Sequence, residues 1–96
     1  MIAQVFRGQW VADRPPDETD QAKSNDLATQ ATKAEGCEQI MILVDPDTGG
    51  SLIINVWSDR DAMDKFRSGM EKELISQSGS DAELVSEDFY EVQFRS

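Results

Sequence analysis

The chain contains no histidine. That absence excludes Ser-His and Cys-His nucleophilic machinery, haem held by a proximal histidine, and histidine-based zinc sites. Cysteine is nearly absent too: Cys37 is the sole thiol, so neither an internal disulfide nor a Cys-x-x-Cys pair can form. Its neighbours Gly36 and Glu38 supply no cation that would lower its pKa, so a buried, unreactive thiol is expected. No cofactor and no metal are expected from these residues.

Basic residues are also scarce. Nine Lys and Arg face nineteen Asp and Glu, for a net charge of −10. Residues 1–48 hold four basic and nine acidic groups and residues 49–96 hold five and ten, so each half stands at −5. Phosphate-backbone binding needs clustered Lys and Arg, so nucleic acid and anionic membrane surfaces are not expected partners. An evenly acidic surface keeps a protein hydrated and resistant to aggregation. No apolar run approaches the ~18 residues that span a bilayer. The segment Met1 to Arg7 lacks a basic region followed by an apolar one, so no signal peptide and a cytoplasmic location are expected. Ninety-six residues are expected to form a single domain, 1–96. A domain of that size buries only ~60 to ~70 % of its unfolded surface, and association with a second copy would bury more.

Ile2 to Arg7 is rich in β-formers and ends at Gly8, which predicts a first strand, and Pro15-Pro16 then interrupts any regular element. Residues 17–35 predict a helix: Asp17, Glu18 and Asp20 lie where the helix dipole favours anions, and Gly36 is placed to end it. Its apolar stripe, Leu27, Ala31 and Ala34, is narrow. Ile40 to Val44, led by Gln39, and Leu52 to Trp57 predict a hairpin closed by Asp45-Pro46-Asp47-Thr48-Gly49-Gly50. That turn begins like a calcium loop, but Val56 stands where the bidentate Glu would be needed. Ser58 is a candidate cap for a second helix, with Asp61 at its third position. Met63, Phe66, Met70 and Leu74 mark that helix's core face, and Gly79, Ser80 and Asp81 its end. After a polar connection over 80–88, Phe89 to Arg95 predicts the last strand. The order β-α-β-β-α-β is that of an α+β, ferredoxin-like sandwich with an antiparallel sheet.

Alternate residues of a strand face opposite sides of a sheet. One parity set, Ala3, Val5, Ile40, Ile42, Val44, Leu52, Ile54, Val56, Tyr90, Val92 and Phe94, is almost wholly apolar and is expected beneath the helices. The other contains Ile2, Gln4, Phe6, Gln39, Met41, Leu43, Ile53, Asn55, Trp57, Phe89, Glu91 and Gln93. An open sheet face normally alternates to polar residues, yet this set is largely apolar with a few polar groups between. Such a surface marks an interface or a ligand site. A homodimer packing these faces together is therefore expected. The candidate ligand-binding residues are Gln4, Phe6, Met41, Leu43, Ile53, Asn55, Trp57, Phe89, Glu91 and Gln93, around an apolar or aromatic small molecule. A rim pairing of Glu91 with Arg7 or Arg95 is also expected.

Element order and length from Ile2 to Phe94, together with Glu35-Gly36-Cys37 and Trp57-Ser58-Asp59-Arg60-Asp61-Ala62-Met63, resemble the dimeric α+β barrel superfamily, and within it the antibiotic biosynthesis monooxygenase (ABM)-like domains. The resemblance implies a homodimer with a cavity against the sheet. Some members oxidise phenolic or quinol-type compounds with O2 and neither metal nor flavin; others degrade haem; many have no known activity. In the cofactor-free enzymes Asn and Trp side chains hold the substrate, a role Asn55 and Trp57 match. The haem-degrading branch needs a histidine on the second helix, where this chain reads Phe66-Arg67-Ser68-Gly69-Met70-Glu71-Lys72. For phenol oxidation the visible base is Glu91 or a neighbouring carboxylate. No catalytic residue is assigned. Two readings stay open: a cofactor-independent monooxygenase, and a non-catalytic dimeric module that binds a small molecule or serves an accessory role.

Overall fold

The computed structural model describes residues 1–71 and 82–96. The strands are β1 (Ile2–Trp10), β2 (Cys37–Val44), β3 (Gly50–Trp57) and β4 (Ala82–Glu91). The helices are α1 (Glu18–Thr32) and α2 (Arg60–Phe66), the latter running into a π-helical turn at Arg67–Glu71. The sheet order is β2-β3-β1-β4 with every pair antiparallel. This is the α+β, ferredoxin-like arrangement that the order of elements predicts.

Local chemistry sets the element ends. Asp17 caps α1 in a reciprocal box: Asp20 N–H donates to Asp17 Oδ1 at 3.0 Å, and Asp17 N–H donates to Asp20 Oδ2 at 2.9 Å. Arg14 adds an ion pair to Asp20 at 2.6 Å, and these contacts hold the Asp20 carboxyl well below its ordinary range. Only Ala31 of α1 is fully buried, in keeping with its thin stripe. The Asp45–Gly50 loop is a hairpin turn as expected: Asp45 Oδ1 accepts from Asp47 N–H at 2.9 Å, and Gly49 supplies φ +75°. At Gly36, φ is +82°, and a Cβ there would press on Ala62 Cβ and lie 2.9 Å from Ser58 Oγ. Gly36 O also accepts from Ser58 N–H at 2.8 Å, docking the α1–β2 turn against the start of α2.

Three expectations are corrected. The α2 cap is Asp59, whose Oδ1 accepts from Ala62 N–H at 2.8 Å, because the helix begins at Arg60, one position later than a Ser58 cap requires. The last strand begins at Ala82 and ends at Glu91, instead of running from Phe89 to Arg95. Pairing with the long β1, which reaches Trp10, draws the polar stretch 82–88 into the sheet. Leu74, Gly79, Ser80 and Asp81 lie outside the described residues.

The third correction concerns the faces. Ile2 and Trp57 are buried with Ala31 of α1 and Met63 and Phe66 of α2, and Phe89 packs on the same cluster. The helices therefore cover Ile2, Gln4, Phe6, Ile53, Asn55, Trp57 and Phe89, the set expected to lie open. The Asp45–Gly50 turn pairs Val44 with Ser51, a register that puts Ile40 opposite Asn55 and Ile42 opposite Ile53, while a bulge between Cys37 and Gln39 brings Cys37 opposite Trp57. Ile40 and Ile42 join the covered face, while Met41 and Leu43 turn to the open one. The open face carries Ala3, Val5, Met41, Leu43, Leu52, Ile54, Val56 and Tyr90. Trp57 and Phe89 pack against the helix residues, and Gln4 between them accepts hydrogen bonds from Asn55 and Trp57. Among the described residues, no helix is long and apolar enough to cross a membrane.

Candidate functional site

The covered face contains a polar chain within an aromatic surround. Gln4 on β1 lies between Asn55 on β3 and Phe89 on β4, its antiparallel neighbours on either side. Gln4 and Trp57 are fully buried and Asn55 is 4 % exposed. Trp57 Nε1–H donates to Gln4 Oε1 at 3.1 Å, and Asn55 Nδ2 donates to the same oxygen at 3.3 Å. On the other side, Gln4 Nε2 donates to Glu87 Oε2 at 3.1 Å. Arg67, from the π-helical turn, donates through Nη2 to Glu87 Oε1 at 3.0 Å, and its guanidinium lies 4.8 Å from the centre of the Phe89 ring. The chain from Arg67 through Glu87 and Gln4 to Asn55 and Trp57 thus crosses β4, β1 and β3 under α2.

Apolar packing holds this chain in place. The Trp57 and Phe66 rings lie 5.0 Å apart at 38°, and Met63 is fully buried beside them. In such surroundings a buried polar group needs a partner, at a cost of ~1–3 kcal/mol if it has none. Asn55 Oδ1 is buried and unpaired among the described residues. Ile40, the β2 partner of Asn55, belongs to an open cleft of about 380 Å³ between α1 and the sheet, with Ile42 on its sheet side and Asn25, Ala28, Thr29 and Thr32 on its helix side.

Of the sequence-derived candidates, Gln4, Phe6, Asn55 and Trp57 meet in the interior, with Ile53 and Phe89 half-buried on the same face. Met41 and Leu43 do not join them, being exposed on the opposite face. Glu91 is exposed at the end of β4 and Gln93 lies beyond it. Arg7, a proposed partner for Glu91, lies instead 3.9 Å from Asp88. Sequence reasoning missed Glu87 and Arg67. The signal for Glu87 was its spacing of two from Phe89, which puts both on one face once residues 82–88 are read as strand. Cys37 packs beside the core, where burial pushes its thiol pKa up.

The sequence matches no family model and no curated protein. Its structure is similar to several solved ones. SnoaB, a cofactor-independent oxygenase from Streptomyces nogalater, superposes with a TM-score of 0.78 at 12 % identity, over 98 % of this chain and 94 % of that one. A protein named "putative antibiotic biosynthesis monooxygenase", from Nitrosomonas europaea, gives 0.73 at 10 % identity, over 98 % and 100 %. Rv0793 from Mycobacterium tuberculosis gives 0.69 at 15 % identity, over 99 % and 98 %. The chain therefore has the fold of the ABM-type α+β proteins.

Proposed function

We propose that this protein is a homodimer whose protomers each bind an apolar, aromatic small molecule between the sheet and its helices, beside Asn55. The observation that carries this reading is the buried Asn55 Oδ1 with no partner among the described residues, set in an aromatic surround next to the α1 cleft. A polar atom in that position gives a bound ring one orienting contact within apolar walls. The open face supports the dimer. Met41, Leu43 and Tyr90 are exposed there and Leu52 and Ile54 half-buried, an apolar surface on one side of the sheet of the kind that marks interfaces. Thermal unfolding with a panel of naphthols, anthrones and quinols tests the binding, which raises the midpoint as ligand saturates the native state. Absence of any shift across the panel removes the reading.

A second reading, cofactor-independent oxidation of such a ligand, is favoured by the likeness to SnoaB. Oxygen uptake on the same panel separates the two. Turnover makes the protein a monooxygenase; saturable binding with no oxygen uptake makes it a binding or accessory module.

A further inference from the structure

The hydrogen bonds around Gln4 have a direction that extends to Asn55. An indole N–H only donates, so the Gln4 amide atom 3.1 Å from Trp57 Nε1 is its oxygen. At the other end the amide meets Glu87, whose carboxylate is paired with Arg67 and accepts. The atom facing Glu87 is therefore the nitrogen. Both ends demand the same amide orientation, independently of how oxygen and nitrogen would otherwise be distinguished. The Asn55 atom 3.3 Å from Gln4 Oε1 must then be the NH2 group. The oxygen of Asn55 is left over, buried and unpartnered among the described residues.

We propose that Gln4, held by Glu87 and Arg67, is the positioning residue that sets the hydrogen-bonding polarity of the ligand site. By accepting from one Asn55 N–H and from the Trp57 N–H, it fixes the Asn55 amide so that its oxygen is the buried acceptor left for a ligand. The site consequently selects an aromatic molecule that donates, a phenol or enol hydroxyl or a ring N–H, over the O-methylated counterpart. This rests on the reading that the ligand sits beside Asn55. A ligand without a donor leaves Asn55 Oδ1 unsatisfied against an apolar ring, a mismatch that one buried acceptor turns into about a tenfold or greater preference.

The test is calorimetric titration of 1-naphthol and 1-methoxynaphthalene, which share a ring system and differ in the donor. The wild-type chain is expected to bind 1-naphthol about tenfold or more tightly. Gln4→Met, which frees the Asn55 amide to rotate, is expected to bring the ratio towards one while 1-methoxynaphthalene binding persists. Gln4→Glu alone sets two carboxylates against each other and is expected to lose the preference. Adding Glu87→Gln to it restores an acceptor towards Trp57 and Asn55, an amide N–H between the exchanged residues, and an acceptor towards Arg67, and is expected to recover the preference. A purely structural role would weaken both compounds alike in Gln4→Met and leave the ratio unchanged, which overturns the proposal. Equal affinities in the wild-type chain overturn it while leaving ligand binding beside Asn55 standing. Binding of neither compound removes the site reading and the proposal with it.

Discussion

Trp57 and Gln4, 53 positions apart in the chain, meet in the interior with the indole N–H directed at the amide oxygen at 3.1 Å. Both side chains are fully buried. Trp57 thereby joins an apolar contact with Phe66 on α2 to a polar contact with β1, so the helix layer and the sheet are tied at one residue.

Trp57→Phe removes that donor and part of the ring, so Gln4 Oε1 loses its indole partner. The expected loss of stability is about 2 kcal/mol, from the missing hydrogen bond and the small void together. Urea unfolding followed by far-UV circular dichroism measures it; a loss below ~0.5 kcal/mol would mean the bond contributes nothing net.

Gly36→Ala is expected to cost about 2 kcal/mol or more. The position has φ +82°, and its added Cβ would meet Ala62 and Ser58 at the start of α2. Gly69→Ala provides the contrast, since among the described residues nothing beyond its own helical turn lies within 4 Å of a Cβ built there. Comparing the two unfolding midpoints distinguishes backbone strain with crowding from a general intolerance of glycine replacement.

Ile54→Lys places a charge on the open face of central strand β3. The proposed dimer should then run as a single chain of 10.7 kDa in light scattering, with its circular dichroism retained. Wild-type protein measured at the same concentration should show twice that mass. A wild-type chain that is monomeric at micromolar concentration would end the proposal of an open-face dimer.

Acid should loosen the start of α1 before the rest of the fold. The Asp20 carboxyl is lowered from 3.8, first by its hydrogen bond with Arg14 and then by the Asp17 backbone N–H. A folded-state pKa below the unfolded one means the stabilisation is complete above about pH 4 and is lost as pH falls towards the depressed value. Asp20→Asn removes this dependence, so its helical signal should change less than that of the wild-type chain between pH 4 and pH 2. Asp20 and Arg14 pair at the protein surface, so added salt should reduce the difference.

Much of the fold was legible in the residues taken locally. Acidic residues before 21, Gly36, the Asp45–Gly50 turn and the apolar runs on either side of it mark α1, β2 and β3, because caps, positive φ and β-rich runs are short-range chemistry. The Asn55–Trp57 pair was legible as well, since residues two apart share a strand face. Glu87 was hidden because a polar stretch such as Ser86-Glu87-Asp88 has no strand signal of its own and becomes a strand only by pairing with β1. Arg67 was hidden because its relation to Glu87 depends on where α2 crosses the sheet.

What the sequence determined by itself was the order of elements and the division of β1, β3 and β4 into two sets of alternating residues. Which set lies under the helices was decided only by the tertiary structure. Both sets are largely apolar, so alternation alone is symmetric between them. The choice follows from packing: Trp57 and Phe89 pack with Met63 and Phe66 of the helix layer, while Gln4 hydrogen-bonds both Asn55 and Glu87 there. The β2–β3 turn pairs Val44 with Ser51 and so sets Ile40 and Ile42 on the same side, which a period of two within each strand cannot reveal because a one-residue change of register reverses every side chain of β2 relative to β3.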